Sequence, residues 1–315
     1  MAFSVLVSRL ARIVAAAIAA LLLAHHAASP AQARTIRPSP AAAHSDKAAP
    51  FYEGCMIGVR GTHSNACLYG DPHGHRVLFL FGDSHALQNF PALQVDARRR
   101  RWRLVVLTKR DCTPGSVSIR LEGGGGAYGP CAAWRRHVLR RIERAGRQGI
   151  VAISGDTTYT AYGSGGEELY GSANSAALEA GYLATIRQVR RAGAAVLVIR
   201  NTPEAPFDVP DCVAADISDP SACDFPAPHD PDRDFDVRAA HRAHVPLVDL
   251  TPKICSRGIC HAVIHGYLVY RDDAHLTATY DRTLSGAFEP ALRRAARAGV
   301  EPEATLGEGP TAAGR

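Results

Sequence analysis

A serine whose surroundings suit nucleophilic chemistry stands at position 84. It lies in Gly82-Asp83-Ser84-His85, directly after the apolar run 77–81. Such a run is typical of a buried parallel strand, and ligands of open α/β sheets bind outside the carboxyl ends of these strands. A helix that begins at Ser84 also offers backbone N–H groups to a developing negative charge. Taken alone, Ser84 is better explained as an ordinary helix-capping serine, because such serines are common at helix starts.

A second chemically suited segment, 270–277, lies near the C-terminus and reads Tyr-Arg-Asp-Asp-Ala-His-Leu-Thr. A serine hydroxyl is a weak nucleophile until a histidine takes its proton, and an acid must orient that histidine. Asp272 and His275 are three residues apart, so in a tight turn the carboxylate can reach one ring nitrogen while the other points at Ser84. The competing interpretation is an exposed acidic turn that caps the following helix.

Alternating strand and helix signals surround these two segments. Short apolar runs predict five buried strands, and amphipathic patterns predict helices between them. The predicted strands are 77–81, 104–107, 150–153, 194–199 and 246–250, and the predicted helices are 131–147, 175–192 and 280–298. This alternation indicates a three-layer α/β/α sandwich over a mainly parallel five-stranded sheet. Two loop-rich insertions, 112–129 and 202–236, carry cysteines, and we expect such loops to contact substrate.

The start of the chain predicts export. Arg9 and Arg12 precede the apolar run 13–24, and Ala31-Gln32-Ala33 is a small-x-small cleavage pattern, which together predict a secretory signal peptide over residues 1–33. The apolar run is shorter than the roughly 20 residues that span a bilayer. Residues 34–50 predict a flexible linker, 51–298 one domain and 299–315 a disordered tail. We therefore expect a periplasmic or extracellular location.

Eight cysteines agree with an oxidising compartment. They form four close couples along the chain, which predict disulfides that each close a local loop. The predicted pairs are Cys55–Cys67, Cys112–Cys131, Cys212–Cys223 and Cys255–Cys260. The alternative for the last pair is a zinc site with His261, but its spacing differs from that of short CxxC knuckles. His73 and His75 supply too few ligands for a metal, so we expect neither a metal nor a cofactor.

Composition bounds the remaining classes of function. The chain has 315 residues, of which 46% are hydrophobic, and a formal net charge of +6. This is enough apolar content for a globular core. The arginines clustered in the predicted helix 131–147 are interpreted as a solvated face. No interleaving of aromatic and basic residues and no nucleic-acid motif is present in the sequence, so we do not expect nucleic-acid binding.

Together, the two chemical segments resemble the SGNH hydrolase superfamily, in which a GDS block supplies the serine and a late DxxH block supplies the aspartate and histidine. The variant GDSHA at 82–86, with YxDxxHL at 270–276, more narrowly resembles the SGNH domain fused behind acyltransferase-3 membrane proteins, which acetylate bacterial surface polysaccharides. The paired cysteines are also similar to that branch. The resemblance implies a flavodoxin-like SGNH fold, with Ser84 as nucleophile, His275 as general base and Asp272 as its orienting acid.

The resemblance also points to an oxyanion hole. The backbone N–H of Ser84 supplies one contact. The superfamily often has an Asn in a GxND segment after the third strand, where this chain has Thr157 in Ser154-Gly155-Asp156-Thr157; the branch commonly lacks that Asn too. Gly155 and Thr157 are therefore the further candidates. The neighbouring Asp273 has the wrong spacing for the motif, and the glycines 123–126 predict the tip of a disulfide loop.

By this resemblance we expect an exported serine esterase or O-acyltransferase that acts on acyl esters, acetyl esters above all, of a cell-surface or extracellular glycan. The acyl group passes from the substrate to the serine and then to water or to a sugar hydroxyl. Because this sequence contains no membrane domain, we expect either a separately encoded membrane acyltransferase as partner or an esterase. The alternative is a non-catalytic glycan-binding protein on the same fold, against which the full set of Ser, His and Asp argues.

Overall fold

The strands form one large sheet and two small ones. The computed structural model describes residues 35–65, 67–121 and 123–298. In chain order the strands of this part are Met56–Ile57 (β1), Leu68–Gly70 (β2), Val77–Gly82 (β3), Arg103–Lys109 (β4), Gly149–Ser154 (β5), Ala195–Ile199 (β6), Phe225–Pro226 (β7), Leu247–Val248 (β8), Cys255–Ser256 (β9), Ile259–Cys260 (β10), Val263–Ile264 (β11) and Tyr267–Leu268 (β12).

The large sheet contains all five predicted strands, which confirms the mainly parallel α/β fold. Its order is β1-β4-β3-β5-β6-β8 with every neighbouring pair parallel, and β2 adds to β4 antiparallel. The sheet therefore has seven strands where the sequence predicted five. The two additional strands, β1 and β2, have two and three residues and are only partly buried, so they carry no apolar run that could predict them.

Helices cover both faces of this sheet. In chain order they are Pro40–Ala43 (α1), Ala49–Tyr52 (α2), Ser84–Leu87 (α3), Phe90–Arg100 (α4), Gly129–Glu143 (α5), Gly171–Arg191 (α6), Val209–Ala215 (α7), Phe235–Arg242 (α8), Thr251–Ile254 (α9), Ala278–Asp281 (α10) and Ser285–Ala298 (α11). Short 3-10 turns lie at Gly146–Gln148, Pro220–Cys223, Pro231–Arg233 and Arg282–Leu284. The last predicted helix is thus two helices joined by a 3-10 turn.

The core lies in two layers because successive side chains of a strand point to opposite faces. Leu78 and Leu80 of β3 pack in one cluster with residues of α4 and α11. Phe79 and Phe81 of the same strand pack in the other cluster, with residues of α5, α6 and α8. Every residue of β3 is buried, as expected for a parallel strand covered on both faces. The carboxyl end of β3 is thereby held firmly where Ser84 follows.

The segment 34–50, predicted as a flexible linker, is a packed part of the domain in its described residues, so that prediction is wrong there. Arg37 pairs with the β11–β12 hairpin, since its N–H donates to the Gly266 carbonyl at 2.8 Å and its carbonyl accepts from the Leu268 N–H at 2.9 Å. Ala43 and Ala48 are buried in the core. Small alanine side chains allow this close packing, although their composition is that of a linker.

The cysteines of the described chain lie in four disulfides, Cys55–Cys67, Cys112–Cys131, Cys212–Cys223 and Cys255–Cys260. The second ties insertion 112–129, including its glycine run, to helix α5, and the third lies within insertion 202–236. The predicted signal peptide 1–33 and tail 299–315 lie outside the described residues. Within residues 35–65, 67–121 and 123–298, no helix is both long and apolar enough to cross a bilayer.

Candidate active site

Ser84 stands where β3 ends and the short helix α3 begins. The residue before the turn must be a glycine because the chain passes close to the end of β5: a Cβ atom at position 82 would lie 1.8 Å from the carbonyl oxygen of Ser154. The carboxyl ends of β3 and β5 therefore lie side by side at the point where Ser84 follows. The serine itself remains partly exposed, so a substrate can reach its hydroxyl.

Asp83 fixes the turn that presents the serine. It is fully buried, and its carboxylate accepts hydrogen bonds from the N–H of His85 at 2.8 Å, the N–H of Asp156 at 2.9 Å and the hydroxyl of Tyr159 at 2.6 Å. The first bond caps helix α3, and the other two tie the turn to the loop after β5. Burial raises the pKa of Asp83, whereas these three donors favour its charged form. The aspartate thus has a structural task, apart from any chemistry.

His275 and Asp272 lie in a tight turn just before helix α10. The Asp272 carboxylate accepts from the backbone N–H groups of Ala274 at 2.9 Å and His275 at 2.6 Å, and it lies 3.0 Å from Nδ1 of the His275 ring. The base of the turn is anchored by Tyr270, which is fully buried and donates its hydroxyl proton to the Pro203 carbonyl at 2.9 Å. The three-residue spacing therefore produces the contact that the sequence predicted.

The turn brings His275 to the serine across 191 positions of sequence. Nε2 of His275 lies 2.9 Å from Oγ of Ser84, which is hydrogen-bond distance. An ionised carboxylate can only accept, so a charged Asp272 assigns the ring proton to Nδ1 and leaves Nε2 with a lone pair towards Ser84. Asp273, in contrast, is exposed, and its carbonyl accepts from the Ala205 N–H. The structure thus joins Ser84, His275 and Asp272 in one hydrogen-bonded chain.

The electrostatics of this chain suit proton transfer. Burial opposes the charge on Asp272, but the hydrogen bond from His275 and the nearby Arg271 guanidinium hold its pKa well below its usual range. Burial, together with the charge of the adjacent His85, lowers the pKa of His275 to about 4. At neutral pH Asp272 is therefore ionised and His275 is neutral. A neutral imidazole beside a hydroxyl is the state that a general base requires.

His85, which follows the serine, connects the site to the end of β6. Its Nδ1 lies 2.7 Å from Oδ1 of Asn201, and the Asn201 amide group donates to Oγ1 of Thr157 at 3.2 Å and to Glu204 at 3.0 Å. Thr157 accepts here, so its own hydroxyl proton remains available for another acceptor. The predicted candidate Thr157 is thus part of a polar network next to the serine.

Gly155 lies between buried groups. A Cβ atom at this position would lie 2.9 Å from Pro114 Cδ, 3.0 Å from Oδ2 of Asp83 and 3.1 Å from the Tyr182 hydroxyl oxygen. Close packing therefore accounts for a glycine at this position, independently of any part in catalysis.

Asn201 and Arg271 are site residues that sequence reasoning missed. Asn201 comes two residues after the end of β6, and its backbone N–H donates to the Asp236 carboxylate at 2.9 Å. The available signal was its place just beyond a predicted strand, where ligands of α/β sheets bind. Arg271 donates to Asp272 at 2.9 Å. No pattern marks it, because arginines are common in this chain.

A polar cleft opens beside this network. It has a volume of about 70 Å³ and lies between the ends of β5 and β6 and the insertion 202–236. Thr157 and Asn201 line it from the sheet, and Glu204, Asp230 and Arg233 line it from the insertion. The cleft therefore offers both hydrogen-bond donors and hydrogen-bond acceptors to a bound molecule.

Among the described residues, two clusters each place the ligand atoms of three side chains within 4.8 Å of one another. These are His44–Asp208–Asp211 on the surface and His85–Asp156–Glu204 beside the candidate site. In the second group each residue has a protein partner: Asn201 for His85 and Glu204, and Thr158 for Asp156. The cysteines of the zinc alternative are bonded to each other, and His261 lies 2.7 Å from Asp224. We assign no metal to any of these groups.

Comparison with known proteins agrees with this fold. Residues 54–290 match the family described as "SGNH domain (fused to AT3 domains)", which is most of the chain, and the protein therefore belongs to that family. A search of curated proteins found no match.

Solved structures similar to this chain share little of its sequence. The periplasmic domain of the lipopolysaccharide acetyltransferase of Salmonella ser. Paratyphi A superposes with a TM-score of 0.53 at 14% identity, over 71% of this chain and 86% of that one. A putative acylhydrolase from Bacteroides fragilis has a TM-score of 0.39 at 11% identity, over 72% and 90%. An acetyl xylan esterase has a TM-score of 0.38 at 13% identity, over 69% and 99%.

Proposed function

We propose that this protein is an exported serine esterase or O-acyltransferase that acts on acyl esters of a cell-surface or extracellular glycan. The observation that carries the proposal is the chain of hydrogen bonds from Ser84 through His275 to Asp272, with 2.9 Å between Ser84 Oγ and His275 Nε2. A glycan-binding module has no need of a neutral histidine within hydrogen-bond distance of a partly exposed serine. Membership of the SGNH family further supports acyl-ester chemistry.

The first half-reaction transfers the acyl group to the serine. Ser84 Oγ forms a bond to the acyl carbon while its proton moves to Nε2 of His275, and the ionised Asp272 stabilises the imidazolium. The tetrahedral intermediate then expels the alcohol: the ester C–O bond breaks, and the leaving oxygen takes the proton from Nε2. An acyl-enzyme on Ser84 remains. No group outside these three is needed to balance the protons.

The negative charge on the oxygen of the tetrahedral intermediate must be stabilised by hydrogen-bond donors. We assign one to the backbone N–H of Ser84 at the start of helix α3, with Gly155 and Thr157 as the further candidates. Thr157 has the better chemical case, because its hydroxyl accepts from Asn201 and so can donate its own proton. A single oxyanion donor contributes about 10²–10³ to kcat in serine hydrolases. Thr157→Val, which removes the donor and keeps the shape, measures that contribution.

The second half-reaction decides between hydrolysis and transfer. Nε2 of His275 removes a proton from water or from a sugar hydroxyl, that oxygen attacks the acyl carbon, and Ser84 regains its proton. Two observations favour transfer to a sugar: the family is that of domains fused to AT3 domains, and a structural neighbour is an acetyltransferase acting on lipopolysaccharide. The polar cleft beside Asn201 has the hydrogen-bonding character that an acceptor sugar requires.

The acyl group that is transferred to Ser84 must come from a donor molecule. By analogy with the fused members of the family, a membrane acyltransferase encoded separately passes the acyl group, most simply acetyl, to this domain. The predicted signal peptide and the four disulfides support a location outside the cytoplasm, where such a donor would deliver the group.

The test compares hydrolysis and transfer in the purified mature protein. Ser84→Ala should lower kcat for p-nitrophenyl acetate by at least about 10³-fold with an unchanged circular dichroism spectrum, whereas Ser218→Ala, at an exposed serine of the insertion, should leave kcat unchanged. Labelled acetyl donor with de-O-acetylated surface polysaccharide then distinguishes a transferase from an esterase. Wild-type turnover in Ser84→Ala would refute the nucleophile. Glycan binding without any turnover by the wild type would favour the non-catalytic alternative.

A further inference from the structure

A second, much smaller pocket opens directly at Ser84 and shares no lining residue with the polar cleft. Its volume is about 20 Å³, and besides Ser84 its lining combines the polar side chains of Lys47, Gln88 and Arg271 with apolar ones: Ala48, Phe51, Met56, Leu87, Leu276 and Ala278. Ser84 itself is part of the lining. A group bonded to Ser84 Oγ can therefore extend into this pocket without crossing the cleft that we assign to the sugar.

The size of the pocket limits the acyl group that it can hold. A cavity volume of roughly 10–15 Å³ holds one water-sized group, so 20 Å³ accommodates one methyl group and leaves little space for a second carbon. The aliphatic and aromatic part of the wall, which includes Phe51, Met56 and Leu87, offers a methyl group apolar contacts. In the acyl-enzyme, the group attached to the carbonyl carbon of an acetyl is a methyl.

The wall that limits this pocket comes from the segment before β1. Ala48 belongs to the region 34–50, whose composition predicted a linker, and Phe51 follows directly after it in helix α2. The segment is fixed to helix α10, which follows the turn that carries His275: the carbonyl of Asp46 accepts from the Ala278 N–H at 2.9 Å, and its carboxylate accepts from the Thr279 N–H at 2.9 Å. The Lys47 ammonium lies 4.4 Å from the centre of the Phe51 ring. The wall is thus held in place against the site.

We propose that Phe51, with Ala48 and Met56, sets the acyl-chain length, so that the N-terminal segment restricts the enzyme to two-carbon acyl groups. The inference rests on the proposed function, because it assumes an acyl group on Ser84. An extra methylene in a pocket that it does not fit is disfavoured by roughly 10–200-fold in kcat/KM. Removing the Phe51 ring opens space for that methylene and should relax the discrimination.

The experiment measures kcat/KM for p-nitrophenyl acetate, propionate and butyrate. For the wild type, butyrate should fall below acetate by about tenfold or more. Phe51→Ala should raise the butyrate-to-acetate ratio about tenfold, and Met56→Ala, which also lines the pocket, should raise this ratio too. Ala48→Val should narrow the pocket and lower acetate turnover. Phe207→Ala is the matched control, since it removes a partly buried phenylalanine outside the pocket and should leave the ratio unchanged.

The outcomes separate this inference from the function on which it rests. If Ser84-dependent turnover is present and neither Phe51→Ala nor Met56→Ala changes the ratio, the pocket does not select the acyl chain and the inference is wrong, while the function stands. If Phe51→Ala does not fold, Met56→Ala alone decides. If the wild type hydrolyses none of the three esters in a Ser84-dependent way, the proposed function itself fails.

Discussion

The imidazole rings of His85 and His275 lie side by side, with their centroids 4.3 Å apart and their planes inclined by 37°. Burial opposes a charge on His85, but the carboxylates of Asp156, Asp83 and Glu204 outweigh it and raise the pKa of this histidine. His275 has the opposite shift, since burial and the charge of His85 lower its pKa to about 4. The pKa values of the two adjacent rings are thus shifted in opposite directions.

This pair predicts the acidic limb of the pH profile. Activity needs neutral His275 and is lost as the pH falls through its pKa, so wild-type kcat/KM should persist to about pH 4. His85→Gln keeps a partner for Asn201 but removes the neighbouring positive charge. The pKa of His275 then rises, and the acidic limb moves to higher pH. The profile of p-nitrophenyl acetate hydrolysis measures this shift.

His73→Gln is the control for that profile, because His73 lies exposed in a turn of the same chain. It should leave the acidic limb where the wild type has it. An acidic limb that does not move in His85→Gln would show that the two rings are not electrostatically coupled.

Asp272→Asn tests the orienting acid. The amide oxygen of Asn can still accept from the backbone N–H groups of residues 274 and 275, so the turn should persist. The amide removes the charge that stabilises the imidazolium and permits the other ring tautomer, and in serine hydrolases such a change lowers kcat by about 10⁴-fold.

The neighbouring carboxylate offers a matched comparison for Asp272. Asp273→Asn makes the same chemical change one position away on an exposed side chain, and kcat should stay at the wild-type value. The assignment is refuted if Asp272→Asn retains kcat within tenfold of the wild type, or if Asp273→Asn has the larger effect.

The sequence predicts the parts of this protein that depend on local pattern. The run 77–81 is apolar at every position, so it predicts a buried strand, and Ser84 follows from its place at the end of that strand. Asp272 and His275 are three residues apart, so a single turn determines their contact. The pairing of the cysteines likewise follows from couples that are close in sequence. These features need no knowledge of distant segments.

The features that sequence reasoning missed depend on partners far along the chain. The segment before β1 is rich in alanine and proline and has no periodicity, yet Asp46 bonds to Ala278 and Thr279, more than 200 positions away. Asn201 enters the site through His85, at a separation of 116 positions. Strands β1 and β2 form only by pairing with β4. Tertiary packing therefore decides these features, and no local pattern encodes them.

The disulfides should differ in what they contribute to stability. A cross-link restricts the unfolded chain more when it closes a longer loop. Cys112–Cys131 has a sequence separation of 19 and Cys255–Cys260 one of 5. Replacing the first pair with alanines should lower the free energy of unfolding by about 3 kcal/mol, and replacing the second by about 2 kcal/mol. Urea denaturation of the two double variants measures the order, and the reverse order would contradict the loop-length account.

Asp83 should matter for stability as much as for activity. Its carboxylate is the buried acceptor for His85 N–H, Asp156 N–H and the Tyr159 hydroxyl. Asp83→Ala leaves all three donors without this acceptor, and a buried unsatisfied donor costs about 1–3 kcal/mol. The free energy of unfolding should therefore fall by about 3 kcal/mol or more, whereas Asp273→Ala, on the surface, should change it by less than about 0.5 kcal/mol. Because the same three bonds hold the turn after β3, kcat should fall together with stability; a fully stable Asp83→Ala with low kcat would instead assign Asp83 a direct chemical role.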